Sequence, residues 1–125
     1  WHVYDDAQRA RNEAKRWLLL RGIFRPWVLQ EFLEATEIEL VMGSQPAFLK
    51  AFVEGTHEIE GIPESLADKL VDELTLTSSL ADVDKLMEEV RGYRDAGLNS
   101  LSLRLYAQPA DSIRLLAERI LPQLN

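Results

Sequence analysis

The sequence predicts a helix-rich α/β fold with two or three short strands that belong to a larger parallel sheet. Three observations carry this. Apolar residues recur at helical spacing over most of the 125 residues. The spacing switches to alternation at Leu74–Thr77 and again at Leu98–Tyr106. Each alternating stretch then gives way to a helical one, the order of parallel β/α units. So few strands cannot cover both of their own faces, and further strands are expected around them.

The elements follow in chain order. After a short β-compatible start, Asp5 and Asp6 suit the N-terminus of a helix carrying Ala7, Ala10, Ala14, Trp17 and Leu18. That helix should end near Arg21-Gly22. Pro26 fits the first turn of a second helix, with Val28, Leu29, Phe32 and Leu33 inward. Residues 34–43 are ambiguous. Ser44 and Pro46 open a third helix with Leu49, Phe52 and Val53 apolar, stopped by Gly55. Thr56 to Gly61 reads as a polar connector, and Pro63 opens a helix with Leu66, Leu70 and Val71 toward the core.

Thr77, Ser78 and Ser79 offer caps for a long helix through Ala96 that buries Leu80, Val83, Met87 and Val90. Gly97 follows as its stop. Leu98 to Tyr106 is the clearest strand, with Leu101, Leu103 and Leu105 on one side and Ser100, Ser102 and Arg104 on the other. Pro109 and Asp111 begin a last helix, with Ile113, Leu116, Ala117 and Ile120 apolar and Pro122 ending it.

Composition narrows the class. The length suits a single domain, 1–125. With 46% hydrophobic and 28% charged residues, the chain reads as globular and not disordered. A net charge of -7 argues against nucleic-acid and anionic-membrane surfaces, which need clustered Lys and Arg. No apolar run approaches the roughly 20 residues that span a bilayer. The absence of cysteine excludes disulfides and thiolate chemistry. No signal peptide is visible, and the cytoplasm is the expected compartment. The abrupt apolar opening, Trp1-His2-Val3-Tyr4, leads us to expect a segment from within a longer polypeptide.

Residues 75–124, TLTSSLADVDKLMEEVRGYRDAGLNSLSLRLYAQPADSIRLLAERILPQL, resemble the C-terminal end of luciferase-like oxidoreductases. The resemblance lies in the cap Ser78-Ser79-Leu80-Ala81-Asp82-Val83, the turn Asp95-Ala96-Gly97 and the tail Leu121-Pro122-Gln123-Leu124. Ser78 and Ala81 depart from the usual glycine and acidic residue of that cap. His2-Val3-Tyr4-Asp5-Asp6, with the Ala/Arg-rich stretch after it, looks like the preceding unit. The resemblance implies the C-terminal fragment of a (β/α)8 TIM barrel, mostly helical when isolated. It further implies a parent enzyme that uses FMN or the deazaflavin coenzyme F-420 on a small-molecule substrate. The family's main cofactor cradle lies on earlier strands, so this segment alone is expected to be inactive and to hold no cofactor.

Two candidate binding features follow. In barrels, the loops after the last strands often bind phosphate at a helix N-terminus, which points to Thr77, Ser78 and Ser79. Ordinary helix capping accounts for the same residues. Arg104, if it faces the barrel lumen near the C-terminal mouth, offers a fixed donor fork to an anion. A solvated or salt-bridged arginine is the plain alternative. His2 and His57 lack metal-ligand spacing, and His57 with Glu54, Glu58 and Glu60 reads as a solvated acidic loop. No metal site is expected. The alternative function is a small helical interaction domain that pairs with a partner or a second copy.

Overall fold

The computed structural model describes residues 1–106 and 108–124. It is 63% helical, with two three-residue strands, His2–Tyr4 (β1) and Thr77–Ser79 (β2). These pair in parallel, with His2 opposite Thr77, Val3 opposite Ser78 and Tyr4 opposite Ser79.

β1 runs into α1 (Ala7–Arg16), where the Asp6 carboxylate accepts the Arg9 N–H at 2.7 Å. Ala10 and Ala14 are fully buried, and their small side chains let α1 lie close to both strands. A 3₁₀ turn (Leu18–Arg21) ends at Gly22, whose φ of 70° is left-handed. Four helices follow: α2 (Pro26–Leu29), α3 (Ala35–Gly43), α4 (Gln45–Glu54) and α5 (Glu64–Leu74). The ambiguous stretch is thus helical. Its start is fixed by Glu34 and Glu37 in a reciprocal cap, with the Glu34 N–H donating to the Glu37 carboxylate at 3.0 Å.

Leu18, Ile23, Leu29, Val41, Phe48, Leu70 and Val71 form the larger core, all at or below 1% exposure. Each such side chain removed from water contributes about 1.5–3 kcal/mol. α4 buries Phe48 and Ala51, while Leu49 and Val53, one turn apart, face outward.

α1 and α5 run antiparallel and are joined by an ionic ladder. Arg11 reaches Asp72 at 2.8 Å and Asp68 at 3.1 Å, and Lys15 reaches Asp68 at 2.9 Å and Glu64 at 3.3 Å. Burial raises the Asp68 pKa, but hydrogen bonds from Lys15 and Arg11 outweigh it and hold the carboxyl below its ordinary value.

The later elements differ from expectation in four places. The second strand occupies Thr77–Ser79 and not Leu74–Thr77, because the strand forms where it meets β1. Its helix, α6 (Val83–Asp95), therefore starts later, and Leu80 stays 39% exposed. Leu98 to Tyr106 has no regular structure and is not a strand. Alternation says which side chains face a surface; it does not supply a ladder partner, and none meets this segment among the described residues.

The last helical stretch comprises α7 (Pro109–Leu115), a π-helical turn (Leu116–Ile120) and α8 (Leu121–Leu124). Pro122 does not end it. Proline has no N–H for the Glu118 carbonyl, and just before it the Leu121 N–H donates instead to Leu116 in a widened turn. Ile120 packs with Trp1, Leu76, Val83, Leu86, Met87 and Val90 in a second, smaller core. No helix among the described residues is long and apolar enough to cross a membrane.

Candidate functional site

The strand pair has a cavity at each end, and the two differ in charge. The one at the C-terminal ends, where barrel enzymes place their chemistry, holds about 490 Å³. Its walls include Tyr4, Asp5, Arg9, Leu80, Asp111 and Glu118. Three carboxylates face a single cation there. That cation is engaged: Arg9 lies 3.3 Å from Asp5, with its guanidinium 4.8 Å from the centre of the Tyr4 ring.

Along β2, Thr77 stands at the N-terminal end opposite His2 and Ser79 at the C-terminal end opposite Tyr4, and the hydroxyls of Thr77, Ser78 and Ser79 are used within the chain. Thr77 shares a 2.6 Å hydrogen bond with the Thr75 hydroxyl. Ser78 donates to the Ser79 carbonyl at 2.9 Å. Ser79 donates to the Asp82 carboxylate at 2.8 Å and accepts the Asp82 N–H at 3.1 Å. Hydrogen bonds from Lys85 and then Ser79 hold Asp82 below its ordinary pKa, so an anionic side chain sits at the N-terminus of α6. A phosphate placed here would meet that carboxylate. As arranged, the three hydroxyls make their hydrogen bonds within the chain.

The cavity at the N-terminal ends holds about 530 Å³. Arg21 and Arg104 line it, with Trp1, Leu74, Leu76 and Leu103 as apolar wall and Glu73 as its one carboxylate. Arg104 is therefore not at the C-terminal mouth of the strand pair. Its carbonyl accepts from the Trp1 nitrogen at 3.2 Å, beside the start of β1, and it shares no cavity with Thr77, Ser78 or Ser79. Burial, and then the nearby Arg104 charge, lower the pKa of Arg21. The Nε and Nη2 atoms of Arg21 are buried without a hydrogen-bond partner among the described residues.

Behind this cavity is an aromatic stack that sequence reasoning missed. The Tyr106 ring lies 4.0 Å from Trp17 and 5.6 Å from His2, with the Arg21 guanidinium 5.1 Å from its centre. His2 is 1% exposed, and neither ring nitrogen has a partner among the described residues. Burial above all, and also the nearby Arg21 charge, push its pKa down. The imidazole is thus neutral at physiological pH. In the sequence Trp17 reads as part of a helix's core face and Arg21 as the residue before a helix-stopping glycine, so neither points to Tyr106.

His57 is exposed in the connector, and no group of three or more metal-ligating side chains occurs among the described residues. Comparison with protein-family models, with curated proteins and with solved structures returned no match.

Proposed function

We propose that this chain is the C-terminal part of a flavin- or deazaflavin-dependent oxidoreductase of the luciferase-like family. The observation that carries the reading is the parallel, in-register pairing of β1 with β2, each strand running into a helix. That is the repeating unit of a barrel wall, and it accompanies the family resemblance of residues 75–124. When bound, FMN or coenzyme F-420 supplies hydride transfer or oxygen activation on a small-molecule substrate. The acidic C-terminal-end cavity and the engaged hydroxyls at 77–79 argue that the cofactor phosphate is held by the remainder of the enzyme. This segment then contributes wall strands and outer helices, and homo-oligomerisation is compatible with it.

The test is an absorbance and fluorescence titration of the intact polypeptide carrying this chain, with FMN and with F-420 separately. Saturable binding of one supports the reading; binding of neither overturns it. A second reading, a helical interaction domain, is favoured by the outward Leu49 and Val53 on α4 and by Trp27 at 64% exposure.

A further inference from the structure

The geometry points to the cavity at the N-terminal ends of the strands as a binding site for a small oxyanion on an apolar body, held between Arg21 and Arg104. This site is independent of the flavin reading, since it lies at the opposite end of the strands from barrel catalysis.

Charge is the first argument. The chain carries a net charge of -7, and six of the eight other arginines have an acid within 4.0 Å, as Arg11 has Asp72 and Arg119 has Asp84. Arg21 and Arg104 pair with no acid among the described residues, yet they face one cavity together. Two neighbouring guanidinium groups repel, and the buried Nε and Nη2 of Arg21 are left without acceptors. One oxyanion in the cavity offsets that repulsion, accepting from the guanidinium N–H groups that reach it.

Shape and wall chemistry narrow the ligand. A cavity of about 530 Å³ is within the range of small-molecule sites. Trp1, Leu74, Leu76 and Leu103 offer an apolar wall to the ligand body, and the Ser102 hydroxyl adds one neutral polar group. Glu73 also lines the cavity and repels additional negative charge, which disfavours diphosphates and polyanions. The fitting chemistry is a single carboxylate or phosphate monoester on an aromatic or aliphatic body.

Titration calorimetry of the chain with benzoate, phenyl phosphate and benzyl alcohol tests this and separates the two anions. Saturable heat is expected from at least one anion and none from the neutral alcohol. Arg104 is exposed, so Arg104→Ala should keep the circular dichroism spectrum and weaken binding about tenfold or more, as loss of a charge-assisted hydrogen bond does. Arg21→Lys, which keeps the charge but loses the fork, should weaken it less than Arg21→Ala. If Arg21→Ala fails to fold, Arg104→Ala decides alone. Absence of saturable heat with both anions, equal binding of benzyl alcohol, or unchanged affinity in Arg104→Ala overturns the site.

Discussion

Lys15 carries its ammonium group at 3% exposure, and two carboxylates on the facing helix make that tolerable. They are not equivalent. Asp68 is about one-third exposed and also serves Arg11, whereas Glu64 is 77% exposed. Removing Asp68 leaves a buried cation with only a solvated partner, while removing Glu64 leaves the closer pair intact. Asp68→Asn should therefore cost about 2–3 kcal/mol in urea unfolding, and Glu64→Ala less than about 1 kcal/mol. Equal losses would show that the ladder does not discriminate. The sign with pH follows from the lowered Asp68 pKa. Its contribution is present above the ordinary carboxylate range and is lost as pH falls through the folded-state value.

At the scale of elements, Leu98 to Tyr106 shows how far a pattern reaches. Leu103 and Leu105 rest on the second core, but Leu101, on the same side of the alternation, is 45% exposed, so the sidedness holds for only part of the segment. Without a neighbouring ladder the amides stay unprotected. Hydrogen exchange should find residues 99–106 exchanging orders of magnitude faster than the amides of α5. Protection equal to that of α5 would mean that a strand partner is present in solution. The helices were more legible. Gly22 and Gly55, both left-handed, stop helical turns where glycine was expected to stop them. The Glu34–Glu37 cap went unread because the usual signature has Ser or Thr in the first position. On α4, apolar residues occupy more than one face, and composition alone did not show that Phe48, and not Val53, turns inward.

Across the whole molecule, legibility declines with sequence separation. Capping, turn chemistry and helical spacing are local, and they located most helices. The strand pair needed a partner from the far side of the bundle, so only β-compatible character was visible in advance. The candidate residues divide the same way. Thr77, Ser78 and Ser79 were visible as a hydroxyl cluster, but their engagement with Thr75 and Asp82 was not. Arg104 was visible as an anion ligand, whereas its company with Arg21 joins residues from opposite ends of the chain.

The same separation sets an order of assembly. β1 and β2 meet in register although five helices, α1 to α5, lie between them in the chain. Closing so long a loop costs entropy before any strand hydrogen bond forms, and three-residue strands offset little of it. Helices with local contacts assemble first and carry the strand ends together. The sheet then forms after the rate-limiting step. Val3→Ala, in the middle of β1, should accelerate unfolding in stopped-flow measurements while leaving the refolding rate nearly unchanged. A matching loss in the refolding rate would place the pairing in the nucleus instead. A sheet that arrives last is also the first part to part company, so the ends of the strands, where both cavities lie, sit on the molecule's most easily opened seam.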